Sequence, residues 1–472
     1  MNAGRQPGHV VSPGRAGARR ARWEPVPLTL GIAGVSVAVS FTYYAVGTTL
    51  PVAVRDLGRP EAFGWTVAMF MGGNVFGVCV ARWLVARLRP WSTEAIGIGV
   101  FLCGLVTAVA APSIEVLVLA RVLQGIGSGM DIVVVFLLIG SAYRPDQRPS
   151  MVALANYCLV IPGMVGPALA GWVATELGWR IVFMALTVML VVAGTVLVVN
   201  MRRIDLPVDG VPLSYPAMGL VLIGGLVLLQ LGGSVALGPA VLLVVGGLAI
   251  VIVAGRVLLP RPLLRFGSGH PGQFGMYGLL SACYFGGQLW LPLMLIEVRD
   301  LSAATAGLAL LGAPLGWGIG SALQTRAAVG ADGLAVRRRH VALGAGCTAM
   351  GMGALILAAR TDLHLLFVLV IWTIAATGMG LAVSSLTVML LDAENRADAA
   401  ATSAWMQLVN GVSVAVALAL GTVVHAGATD GGMSGATVFT LIFGACIALC
   451  AVAVIAAPAL RHGSPADLER TA

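Results

Sequence analysis

From Gly210 to Gly255 the chain runs for 46 residues without one charged side chain. As a single helix, at about 1.5 Å rise per residue, this stretch would reach roughly 69 Å, more than twice the hydrocarbon thickness of a bilayer. It must therefore hold two membrane spans. A membrane β-barrel does not fit, because barrel strands alternate apolar and polar residues in segments of about ten, and this run is continuous.

The rest of the chain repeats the pattern. Apolar runs predict fourteen spans, at 28–50, 64–84, 93–112, 115–142, 151–174, 180–200, 214–233, 237–258, 273–297, 302–324, 340–359, 363–391, 398–426 and 434–457. With 58% hydrophobic and 10% charged residues the 472-residue chain is far from a soluble domain. The expected fold class is an all-α polytopic membrane protein. Its 62 glycines suit helices that approach closely in lipid. The seven cysteines are scattered through apolar runs with no Cys-x-x-Cys pair, so they read as buried fillers and not as a metal or disulfide framework.

Arginine placement sets the topology. With a cytoplasmic amino terminus, 22 of the 28 arginines fall on that side. Five fall outside, at 55, 59, 180, 299 and 360, and Arg121 lies within a span. The positive-inside rule then puts both termini in the cytoplasm. It also makes the +8 charge topological, with no nucleic-acid partner expected. The chain divides into a disordered basic arm (1–26), a six-helix half (27–203), an inserted two-helix hairpin (204–260), a second six-helix half (261–460) and a tail (461–472). Two such halves are what a rocking transporter needs, although composition alone also fits a channel or a membrane enzyme.

The fourth span carries Arg121, Gln124, Ser128 and Asp131 inside an apolar run longer than one membrane crossing. At about 100° per residue the four share an arc of roughly 80°, so they face protein or a water-filled cavity. Asp131 reads as the only acidic residue well inside a span, and as the candidate to take up and release a proton. Its plainer reading is a structural hydrogen-bond acceptor. Arg121 is separated from it by about 15 Å of rise and needs another partner, a carbonyl or Asn74 or Asn156. Gly125, Gly127 and Gly129 read as close-packing residues, since no strand precedes them and no P-loop lysine follows. His425, near an outer end, and an exposed His340 are weaker proton candidates, being close to water.

Arg121-x-x-Gln124-Gly125-x-Gly127 resembles the fourth-helix signature of the major facilitator superfamily, particularly its drug:proton antiporters. Gly163-Met-Val-Gly166-Pro167-Ala-Leu-Ala-Gly171 resembles the antiporter motif of the fifth helix, and Gly178-Trp179-Arg180 the Trp-Arg pair that opens the sixth. Leu50-Pro51, Asp56-Leu57-Gly58 and Trp65 are similar to the end of the first helix and the start of the second. Pro262-Leu263-Leu264 and the inserted hairpin resemble the fourteen-helix branch. The departures are Ala86 where the loop after the second helix usually has an acid, leaving Arg87 as its gating cation; Thr42 where many antiporters have an acid; and Pro162 where glycine is usual.

The resemblance implies a secondary active transporter of the cell membrane that exports drugs or other small amphipathic organic compounds by alternating access. Asp131, Arg121 and Gln124 would couple protons, and Gly163, Gly166, Pro167 and Gly171 would bend the fifth helix. Thr42, Tyr43, Asn74, Asn156, Gln288, Trp317, Gln407 and Asn410 are the polar and aromatic span residues from which a mixed cavity with few charges is expected. No cofactor or metal is expected, and no ATP site is seen, so the proton gradient is the expected energy source. The expected partners are substrate, protons and lipid, with the protein a monomer. The rival readings are export of lipid or an endogenous metabolite, uptake by symport, and a non-transporting sensor. An enzyme is disfavoured because no nucleophile–base or metal-ligand cluster lies in the spans.

Overall fold

Long apolar segments in lipid must pair their own backbone groups, and helices do so within one segment. The computed structural model describes residues 26–461 except 144–147, 203, 205–211, 233–234, 236, 260–264, 268, 328–332 and 392–398. The amino-terminal arm, Pro262-Leu263-Leu264 and the tail beyond Arg461 lie outside the described residues. The helices are α1 Val26–Asp56, α2 Phe63–Val85, α3 Pro90–Val109, α4 Ile114–Ala142, α5 Arg148–Val173, α6 Trp179–Met201, α7 Ser214–Gly232 and α8 Leu237–Leu258. They continue as α9 His270–Glu297, α10 Ala303–Ala309, α11 Gly312–Ala327, α12 Gly333–Arg360, α13 Leu365–Leu391, α14 Ala399–Asp430 and α15 Gly435–Ala456.

Among the described residues thirteen runs are long and apolar enough to cross a membrane, and one of them, Ile161–Met201, is 41 residues long and contains parts of two helices, α5 and α6. Counting those two separately gives the fourteen expected. A wide π turn, Ala174–Gly178, joins them, and Gly178 takes a φ of +98° that a side chain would resist. The tenth span is broken into α10 and α11. Pro314 has no N–H to give Leu310, whose carbonyl is instead taken by Ala313 N at 3.0 Å.

Helix α1 packs on α5 and α6, and α4 lies between α2 and α3. Later in the chain α9 packs on α14 and α15, and α13 on α11 and α12. The two groups meet where α14 crosses α2 and where α10 and α11 lie on α5. The α7–α8 hairpin lies along α2, and α7 also touches α14. Two polar side chains fix its register. The Tyr215 hydroxyl accepts from Arg82 Nη1 and donates to the Leu258 carbonyl, both at 3.0 Å. At the other end of α7, Gln230 Nε2 donates to the Gly64 carbonyl at 3.1 Å. Exposed Leu242, Val188 and Ile455 are what a lipid-facing surface needs. The seven cysteines are free, and all but Cys103 and Cys347 are buried.

Candidate functional site

The four polar residues of α4 are all buried, and their partners alternate between two neighbouring helices. Arg121 and Ser128, within about 20° of each other around the helix, face α2. Arg121 Nε reaches the Thr66 carbonyl at 3.3 Å and its guanidinium lies over the Phe70 ring, 4.2 Å from the centroid. Asn74 Nδ2 donates to Ser128 Oγ at 2.9 Å. Gln124 and Asp131 stand about 60–80° further round and face α3. Gln124 accepts from Arg121 Nη1 at 2.6 Å and donates to the Gly104 carbonyl at 3.1 Å. The stripe therefore fills the groove between α2 and α3. Arg121 finds a carbonyl, as expected, while Asn74 serves Ser128 instead.

That groove is narrow because the contacts are glycine. A Cβ on Gly125 would overlap the Phe70 carbonyl oxygen, and one on Gly129 the Asn74 carbonyl oxygen. Reciprocally, Gly73 and Gly77 of α2 lie on the carbonyls of Val122 and Ile126. On the other side Gly127 meets Phe101 and the Gly97 carbonyl of α3. Close packing is thus the visible role of the three α4 glycines.

Asp131 has an acidic neighbour that corrects the sequence reading of it as the only acid well inside a span. Helix α3 begins at Pro90, so Glu94 lies in its second turn and not at a span boundary, with no exposed surface. Its carboxyl and that of Asp131 act on each other across the α3–α4 contact, where a Cβ on Gly97, one turn on from Glu94, would lie 3.8 Å from the Asp131 backbone nitrogen. Asp131 is 5% exposed. No N–H or O–H of another described residue reaches either Glu94 oxygen or Asp131 Oδ1. The contact becomes a hydrogen bond only when one of the two carboxyls carries a proton.

The fifth-helix motif lies where α5 meets α1, α10 and α11. The Thr48 hydroxyl donates to the Pro167 carbonyl at 2.8 Å, and Gly307 of α10 packs on the same carbonyl. A Cβ on Gly163 would sit 3.3 Å from Pro314 and 3.4 Å from the Tyr44 ring. Gly166 and Gly171 are buried in the same helix, and Thr175 donates to the Gly171 carbonyl at 3.1 Å.

Beside Gly163 an aromatic cluster joins α1 to α9, α11 and α13. Tyr43 meets Tyr44 at 5.2 Å and Phe285 at 6.2 Å, edge to face. Phe285 and Tyr284 approach Trp317 at 5.9 and 6.0 Å, and Tyr284 stacks on Trp372 at 5.3 Å. The Tyr284 hydroxyl, Trp372 Nε1 and Gln288 Oε1 are buried with no hydrogen-bond partner among the described residues. In the sequence Tyr284 and Trp372 are two aromatic residues in separate spans, and the stack that joins them needs the fold.

The other expected site residues scatter. Thr42 is buried and its hydroxyl returns to the Ala38 carbonyl at 2.9 Å. Asn410 and Gln407 are half-buried on α14, and Asn410 Oδ1 is buried with no hydrogen-bond partner among the described residues. The side chain of Asn156 lies outside the described residues. Exposed Arg87 folds back on its own turn, donating to the Trp83 carbonyl at 3.0 Å and lying 4.5 Å over the Trp83 ring. His340, expected to be exposed, is buried, because α12 starts at Gly333 and carries it against Ser385 of α13, Nδ1 to Oγ at 3.0 Å. His425 Nε2 lies 3.2 Å from Glu297 Oε2, and its ring stacks on Trp290.

A sequence model of the Major Facilitator Superfamily matches residues 32–418. The chain belongs to the major facilitator superfamily. It is a multi-span membrane transporter of small molecules, not an enzyme. Among superfamily members, the probable multidrug-efflux transporter Rv1634 of Mycobacterium tuberculosis is 27% identical over 443 residues, covering 88% of this chain and 90% of that one. The uncharacterized MFS-type transporter YcnB of Bacillus subtilis is 25% identical over 319 residues, 65% of this chain and 67% of that one. The multidrug export protein EmrB of Haemophilus influenzae is 26% identical over 280 residues, 55% and 54% of the two chains. The fold is that of the POT family transporter PepTSo, with a TM-score of 0.66 at 15% identity, over 93% of this chain and 98% of that one.

Proposed function

We propose that this superfamily member is a proton-coupled exporter of small amphipathic organic compounds, working by alternating access in the plasma membrane. Residues 27–203 and 261–460 are the two rocking halves, 204–260 is the inserted hairpin, and both termini are cytoplasmic. Arginine placement supports that orientation. The observation that carries the reading is Asp131, an ionisable group buried inside the bundle with no basic partner among the described residues acting on it. Such a group is costly in a membrane protein and marks an ion or proton path. Relatives named as multidrug-efflux transporters support the direction of transport and the substrate class.

In this reading Asp131 binds the exchanged proton, while Arg121 and Gln124 hold α4 to α2 and α3. Gly163, Gly166, Pro167 and Gly171 let α5 bend. The aromatic cluster around Tyr43, Gln288 and Trp317, with Asn74, Asn410 and Gln407, receives an apolar substrate with a few hydrogen-bonding groups. The protein acts as a monomer.

The test is resistance in a host stripped of its own pumps, against a dye and drug panel, with and without an uncoupler. Uncoupler-sensitive protection that Asp131→Asn abolishes is the expected result. Protection that survives the uncoupler, or that Asp131→Asn leaves whole, rejects the proton mechanism.

A further inference from the structure

We infer that Glu94 and Asp131 form one proton-binding unit, a carboxyl pair that holds a single shared proton between α3 and α4. The inference rests on the proposed role of Asp131 and adds the residue that completes it. Both side chains are more than nine-tenths buried, and Glu94 has no exposed surface. Each acts on the other, and among the described residues no other charged group acts on either.

Among the described residues, Arg89 at the start of α3 is exposed, and the other basic groups on the surrounding elements are engaged elsewhere. Arg82 bonds Tyr215, Arg87 lies over Trp83, Arg202 lies 5.5 Å over Trp91, and Arg121 is held by Gln124 and Phe70. Asp56, Glu115 and Arg180 lie at the opposite ends of their helices from the pair. Two facing carboxylates repel strongly in a low-dielectric setting, and one proton removes that repulsion by turning the contact into an O–H···O hydrogen bond.

The consequence is mechanical. The pair sits across the tight α3–α4 contact, where Gly97 lies against Met130 and Gly127 against Phe101. Taking one proton from water closes that contact. Giving the proton back to water leaves two negative charges facing each other and drives α3 from α4. The aromatic cluster between α1 and α9 is elsewhere in the bundle, so proton and substrate do not compete for one group; they are linked through helix packing.

Infrared spectroscopy of the full purified chain in lipid tests this without knowledge of the substrate. Wild type is expected to show a protonated-carboxyl stretch that shifts in D2O and titrates with pH. Glu94→Gln and Asp131→Asn should each shift the band and its titration, because the remaining carboxyl then bonds to an amide and no longer shares its proton with a second carboxyl. The exchanged pair Glu94→Asp with Asp131→Glu should keep it. Circular dichroism and elution profile show that each variant is folded. A band altered or lost in Asp131→Asn but unchanged in Glu94→Gln would overturn the pair and leave Asp131 acting alone. A band and titration unchanged in both singles overturn the pair and the proposed role of Asp131 together. A titration that moves when sodium replaces choline at constant ionic strength overturns it in favour of a cation site.

Discussion

Arg121 donates to Gln124 Oε1 at 2.6 Å, and Gln124 passes the chain on to the Gly104 carbonyl of α3 at 3.1 Å. One glutamine thus accepts from a buried cation and ties two helices. Gln124→Leu keeps the volume and removes both bonds, leaving the guanidinium with the Thr66 carbonyl and the Phe70 ring. Losing a buried hydrogen bond to a charged group costs about 1.5–3 kcal/mol, so this variant should unfold at lower temperature in detergent. Arg121→Lys should not substitute for the arginine, since an ammonium cannot span Gln124, Thr66 and Phe70 at once. Thermal unfolding of the purified variants checks both.

Gly125 and Gly129 should be the least replaceable glycines of α4. Gly125→Val puts side-chain atoms where the Phe70 carbonyl lies, and α2 must move away. The expected cost is about 3 kcal/mol, the upper end of overpacking, with loss of folded protein in the membrane. Gly99 and Gly346 meet nothing within 4 Å at the Cβ position and supply the control. Gly99→Ala and Gly346→Ala should express as wild type, by fluorescence-detected size exclusion.

The inserted hairpin should act as a clamp on α2. Tyr215→Phe loses the bonds to Arg82 and the Leu258 carbonyl, and Gln230→Leu loses the bond to Gly64. Each should cost about 1–3 kcal/mol, the range for stranding a buried polar partner. The two sites lie at opposite ends of α7, so the double variant should lose the sum of the singles. Cross-linking between cysteines placed in α7 and α2 should fall in the same order.

The end of α1 carries a pH-sensitive tie to α6. The Trp179 indole, at 2.9 Å, and the Arg180 guanidinium, at 3.2 Å, hold the Asp56 carboxyl below the usual carboxylate range. A lowered carboxyl contributes stability above its unfolded value and loses it as pH falls through its folded value. Wild type and Asp56→Asn should therefore differ in unfolding temperature at neutral pH and converge in acid. The difference will be small, since the pair is half-exposed.

The sequence determined which residues of α4 share a direction. About 100° per residue fixes Arg121, Gln124, Ser128 and Asp131 to one arc before any fold exists, and charge-free length fixes the number of crossings. The arc could not be divided from sequence, because its two edges differ only in which helix stands beside each, and that depends on how α2 and α3 cross α4. Gly73, Gly77, Gly97 and Gly104 hold the signal, as small residues spaced to meet those of α4, but reading it requires the pairing in advance. Glu94 was missed for a related reason. An acid near the start of an apolar run looks like a boundary marker in one dimension, and only the packing of α3 on α4 buries it against a second acid. Local periodicity is a property of one helix, whereas a carboxyl pair is made by two segments whose meeting is decided by the whole bundle.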